Sequence, residues 1–132
     1  MLIDDNKDDN FYHERVIKKS EAAGTIIAME SAQDALRYLS TEKSQPDAHP
    51  NIIFLDINMP GMNGWEFIEE YTKLDPKFQS KMVVVMLTTS DNPDHKEMAE
   101  KLYGVIDFKT KPLTNKILDE ILTKYASRKK EI

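Results

Sequence analysis

Hydrophobic and polar positions alternate in blocks along this chain, short aliphatic runs giving way to longer stretches in which apolar residues return every three or four places. The short runs are Met1–Ile3, Thr25–Met29, Ile52–Leu55, Met82–Leu87 and Val105–Phe108, and each predicts a strand. The longer stretches predict helices over Asp9–Ala22, Ala32–Thr41, Gly64–Leu74, Pro93–Leu102 and Asn115–Ser127. In the last of these, Ile117, Leu118, Ile121, Leu122 and Tyr125 share one face, which is expected to pack on the sheet. Strand followed by helix, repeated in series, predicts an α/β fold: a parallel sheet with helices on both faces.

Local signals agree with this division. Ser31 with Asp34, and Thr114 before the last helix, suit N-caps. The polar, Pro-containing segments Glu42–Asn51 and Asp75–Lys81 read as loops. Met1–Ile3 is short for a central parallel strand, which commonly runs to about five residues. Either the strand is short or residues precede Met1.

Composition narrows the class. A chain of 132 residues is expected to form a single domain over 1–132, with no attached output domain, and needs no disulfides to bury a core. No apolar run approaches the roughly 18 residues of a membrane span. The absence of cysteine excludes a disulfide framework, a thiolate zinc site and a cysteine nucleophile. Charge begins at Asp4, before a signal peptide could develop, so the expected location is cytoplasmic. A net charge of -5 argues against nonspecific nucleic-acid binding, and Arg128-Lys129-Lys130 reads as a solvated helix end.

The candidate chemistry sits where the apolar runs stop. Leu2-Ile3 ends in Asp4-Asp5, Phe54-Leu55 in Asp56 and Met86-Leu87 in Thr88-Thr89, while Asp107-Phe108 leads into Lys109-Thr110-Lys111-Pro112. In a doubly wound sheet the carboxyl ends of the strands line one edge, where ligands bind. Three carboxylates at one crevice repel, and oxygen-only ligands without imidazole or thiolate suit Mg²⁺. Lys111 and the Thr88 hydroxyl could then hold phosphoryl oxygens, leaving Asp56 as the nucleophile.

These residues resemble the receiver domain of two-component response regulators, similar to the stand-alone chemotaxis-type receivers. The match is carried by Asp4-Asp5, Leu55-Asp56-Ile57-Asn58-Met59-Pro60 with Gly64, Leu87-Thr88-Thr89 and Lys111-Pro112, and it covers essentially the whole chain. The resemblance implies a flavodoxin-like fold with strand order 2-1-3-4-5 and five helices. It implies that Asp56 receives a phosphoryl group from a histidine kinase or histidine phosphotransfer protein. Asp5, Asp56 and the Asn58 backbone carbonyl would bind Mg²⁺, with Asp4 acting through bound water. Lys111 would contact the phosphoryl group and be joined to Pro112 by a cis peptide. Thr88 and Phe108 would be switch residues, relaying the state to a downstream protein through the fourth helix, fifth strand and fifth helix. Lys96, Lys101, Tyr103 and Lys116 would be surface residues there. By the same analogy the protein is a phosphoacceptor that promotes its own phosphotransfer and dephosphorylation rather than an enzyme with external substrates, and Ser90, like Asn58, would influence phosphoryl lifetime.

Two other readings compete. An aspartate-nucleophile phosphohydrolase on a similar fold would usually place a second acid two residues after the nucleophile, where this chain has Asn58. A pseudo-receiver would lack part of the acidic, hydroxyl and lysine set, all of which is present. Asp8 and Asp9 read as favourable charges at a helix N-terminus rather than extra ligands. His13, His49 and His95 lack metal-ligand spacing and read as surface or helix-end residues.

Overall fold

The computed structural model describes residues 1–20, 25–41, 51–74, 83–89, 97 and 105–130, without the side chains of 83, 105–107 and 125–130. In chain order its elements are β1 (Leu2–Ile3), α1 (Lys7–Ser20), β2 (Ala28–Met29), α2 (Ala32–Leu39), β3 (Ile52–Asp56), α3 (Gly64–Thr72), β4 (Val83–Thr88), β5 (Val105–Thr110) and α4 (Asn115–Lys130). The strands form one parallel sheet in the order β2-β1-β3-β4-β5. That is the doubly wound arrangement the sequence predicts. The fourth predicted helix, Pro93–Leu102, lies outside the described residues apart from Glu97. The same holds for residues 42–50, 75–82 and 98–104, and hence for most of the two predicted loops, and for His49, Ser90, His95, Lys96, Lys101 and Tyr103.

Why these segments form these elements is visible in their faces. Ile53 and Leu55 point to one side of the sheet and join Ala35, Leu39, Phe67, Ile68 and Met86 in one buried cluster. Phe54 points to the other side, joining Leu2, Ile17, Val85, Leu87, Leu118 and Ile121. Alternate residues of β3 thus feed two cores, so every residue of the strand must be apolar until the sheet ends. On α4, Leu118 and Ile121 are buried while Ile117 and Leu122 pack at the margin, as their spacing predicts.

Boundaries differ from expectation in an instructive way. Predicted over Thr25–Met29, β2 is confined to Ala28–Met29, because β1 offers only two rungs, Leu2 to Ala28 and Ile3 to Met29. At the other side, β3, β4 and β5 run past their apolar stretches to Asp56, Thr88 and Thr110. The ladder rungs Asp56 to Leu87 and Thr88 to Thr110 carry these polar residues, so main-chain pairing fixes the chemical groups to the sheet. Helix α1 starts earlier than Asp9, since the Asn6 side chain accepts hydrogen bonds from the N–H groups of Asp8 (2.9 Å) and Asp9 (3.2 Å). Ser31 caps α2, accepting from the Asp34 N–H at 3.3 Å, and Thr114 caps α4 through the Ile117 N–H at 3.2 Å.

Candidate functional site

Four elements bring their polar residues to the carboxyl edge of the sheet. Asp4 follows β1, and its backbone is clamped on both sides: its N–H donates to Met29 at 3.0 Å, and its carbonyl accepts from Asn10 Nδ2 at 2.9 Å. Its carboxylate Oδ1 accepts from the Asn6 N–H at 2.9 Å, leaving Oδ2 for the crevice. Asp56 is the last residue of β3, and Thr88, fully buried, is the last of β4. Lys111 follows β5, its N–H bonded to the Thr88 carbonyl at 2.7 Å and its peptide to Pro112 cis.

The loop after Asp56 is shaped by two glycines. Gly61 holds φ +76°, the left-handed region that glycine enters without a side-chain clash. Gly64 opens α3 against the backbone at the end of β3, its N–H donating to Ile57 O at 2.8 Å. A Cβ at Gly64 would lie 2.7 Å from the Asp56 carbonyl oxygen and 2.9 Å from Ile57 Cα, so a larger residue would push the helix away from Asp56. Asn63 and Glu66 cap this helix reciprocally, the Glu66 N–H donating to Asn63 Oδ1 at 2.9 Å and the Asn63 N–H to Glu66 Oε1 at 3.1 Å. Asn58 is exposed between Ile57 and Met59, both buried.

Charge is crowded at this edge. Ligand oxygens of Asp4, Asp5 and Asp56 lie within 4.8 Å of one another. Lys111 Nζ reaches Asp4 Oδ2 at 2.5 Å, Asp9 Oδ2 at 2.8 Å and Asp56 Oδ1 at 3.5 Å. Burial pushes the Asp56 carboxyl up to about 6, and the Asp4 charge adds to the rise, against the pull of Lys111. Burial by itself would lower the Lys111 ammonium, but its hydrogen bonds to Asp4 and Asp9 outweigh that and hold it protonated. An all-oxygen set with more negative than positive charge is the chemistry a hard divalent cation requires, and the residues therefore fit Mg²⁺.

Comparison with known proteins decides what this edge belongs to. The model of the response regulator receiver domain matches residues 1–123. The chain belongs to that family. Receiver domains are the phosphoacceptor modules of two-component signalling, and they generally bind Mg²⁺ in an acidic pocket. The receiver is similar to the response regulator Rcp1 of Synechocystis, 32% identical over 71% of this chain and 63% of the relative. It is also similar to a two-component response regulator of Oryza sativa, 27% identical over 88% of this chain and 50% of that protein. The chain thus spans between half and two thirds of the length of these relatives. Among solved structures, a two-component response regulator from Cytophaga hutchinsonii superposes with a TM-score of 0.83 at 30% identity, covering 96% of this chain and 94% of that one. A response regulator receiver protein from Dyadobacter fermentans gives 0.82 at 29% identity, covering 94% of each.

The geometry brings Asp4, Asp5, Asp56 and Lys111 together at the edge where Thr88 also ends its strand. Phe108, half-buried, packs on the cluster beneath α2 and α3, on the same rung as Met86. Two residues differ from the sequence reading. Asp9 sits in the first turn of α1, as a favourable N-terminal charge should, yet its carboxylate also grips Lys111. His13, expected at the surface, is buried, because Asn10, His13 and Ile17 form the inward face of α1. The spacing of these three was the available signal, but two polar members kept it from reading as a core stripe. No helix among the described residues is long and apolar enough to cross a membrane.

Proposed function

We propose that this receiver is a phosphorylation-dependent switch in which Asp56 takes a phosphoryl group from a histidine kinase or histidine phosphotransfer protein, with Mg²⁺ as cofactor. The observation that carries the reading is a buried carboxylate at the end of β3, raised to about 6, facing the Lys111 ammonium at 3.5 Å. At neutral pH Asp56 is still largely ionised, and a desolvated carboxylate is a competent nucleophile. Its oxygen attacks phosphorus while the bond from phosphorus to the donor imidazole nitrogen breaks. The nitrogen leaves with the electron pair, and the imidazole takes up a proton.

Asp5, Asp56 and the Asn58 backbone carbonyl would hold the cation, with Asp4 acting through bound water. When bound, Mg²⁺ supplies positive charge that offsets the charge of the phosphoryl oxygens. Lys111 would add a second point charge to the phosphoryl oxygens, and the Thr88 hydroxyl would donate to a further oxygen. The product adds about -1.5 to -2 charge at Asp56. Thr88 and Phe108 respond to that charge and pass the state to a protein-binding face formed by β5, α4 and the segment between β4 and β5. The protein is a phosphoacceptor and not an enzyme acting on external substrates, it works in the cytoplasm, and residues 1–132 make up one receiver domain.

Incubating the chain with Mg²⁺ and acetyl phosphate, followed by intact-mass measurement, tests this directly. A single phosphoryl adduct is expected in the wild type and none in Asp56→Asn. Absence of any adduct would sink the reading, and continuous phosphate release would favour a phosphohydrolase instead.

A further inference from the structure

Lys111 has three N–H donors and faces three carboxylates, Asp4, Asp9 and Asp56, at 2.5, 2.8 and 3.5 Å. Those carboxylates differ in what surrounds them. The side chains of Asp4 and Asp56 are 6% and 8% exposed, whereas that of Asp9 is 37% exposed. A phosphoryl group on Asp56 brings three strong acceptor oxygens toward an ammonium that already makes two short hydrogen bonds, to Asp4 and Asp9, and a longer contact to Asp56 itself. The donor facing Asp56 passes to one phosphoryl oxygen, and engaging a second requires that one of the two short contacts be given up. Leaving Asp4 would strand a buried charge, at a large desolvation cost. Leaving Asp9 costs little, because water replaces the lysine at a carboxylate that is already partly solvated.

We infer that Asp9 is a positioning residue of the phosphoryl-transfer site: it holds the Lys111 ammonium in the unphosphorylated protein and surrenders it to the phosphoryl group. The inference rests on Asp56 being the phosphoacceptor. A contact made only in the unphosphorylated state stabilises that state, so removing it shifts the equilibrium toward the phosphoryl-bound form. Asp9 thereby sets how readily the switch engages without touching the reacting atoms. Its place in the first turn of α1, fixed by the Asn6 cap, is what lets it reach across to the loop after β5.

The test measures the affinity of the Mg²⁺-loaded chain for beryllium fluoride, a non-covalent mimic of a carboxyl-bound phosphoryl group, by titration calorimetry. Asp9→Asn is expected to bind about two- to fivefold more tightly than the wild type, the range a partly exposed ion pair commands, while Asp9→Glu returns toward the wild-type value. Simple damage to the fold would weaken binding, so the direction separates positioning from structure. Asp8→Asn removes the same charge from the same turn, at an exposed position, and is expected to change affinity less than twofold. Unchanged or weaker binding in Asp9→Asn overturns the inference, as does an equal gain in Asp8→Asn, which would reveal a general field effect. Asp9→Ser serves as a second variant, with thermal unfolding of each protein verifying that it is folded. A wild type that neither binds beryllium fluoride nor takes up a phosphoryl group would instead overturn the reading of Asp56, and this inference with it.

Discussion

The middle of the sheet and its carboxyl edge are built from the same strands under opposite rules. In the middle, Ile53, Leu55, Val85 and Met86 are fully buried among other apolar side chains, and each adds to the stability of the fold. One or two residues further along the same strands, Asp56 and Thr88 are also buried, and Asp56 is held there in its less favourable charged form. The step from Leu55 to Asp56 is a single residue, yet it crosses from positions that hold the protein together to a position that strains it. Stability given up at the edge has to be supplied by the apolar interior.

The largest expected effect lies in the interior. Phe67 is fully buried and stacks on Tyr71 with ring centroids 6.1 Å apart. Phe67→Ala should cost about 3–5 kcal/mol in urea unfolding. A cost below about 1 kcal/mol would mean that the interior is not what offsets the edge.

At the edge the sign should reverse. Because the folded protein raises Asp56 from 3.8 to about 6, the native state binds its proton more tightly than the unfolded chain does. Between those values the native state carries the extra proton, so stability from this group falls as pH rises and the full penalty applies above pH 6. A shift of that size corresponds to about 2–3 kcal/mol. In metal-free buffer at pH 7.5, Asp56→Asn should therefore be more stable than the wild type by about that amount, with the gain shrinking toward pH 4. Urea midpoints of both proteins across this range would show it, and a variant less stable at every pH would break the contrast.

The smallest effect concerns the joint between the two regions. Asn63→Ala removes the cap that starts α3 beside the loop after Asp56 and should cost about 1 kcal/mol in the same assay. A much larger loss would show that the loop after Asp56 depends on this cap more than on the apolar face of the helix.

Most of the architecture could be read along the chain because β3 and β4 alternate into two cores and leave almost no polar residue until they end. The convergence of Asp4, Asp5, Asp56 and Lys111 followed from that, since parallel strands must present their carboxyl ends together. Asp9 and His13 were less legible for a common reason. Both are polar residues of α1 whose side chains turn toward the rest of the molecule, and polar members keep an inward helix face from reading as a core stripe. The short β2 was overestimated because its length is set by its neighbour and not by its own residues.

The hydrogen bond from the Lys111 N–H to the Thr88 carbonyl, 2.7 Å long, extends the β4 to β5 ladder beyond its last rung at Thr110. It makes the two jaws of the proposed phosphoryl grip parts of one caliper, whose opening is gauged by main chain. Side chains at positions 88 and 111 can be exchanged without resetting that gauge. Divergence at these positions would change what the caliper holds, whereas the size of the object it measures stays fixed by the peptide backbone.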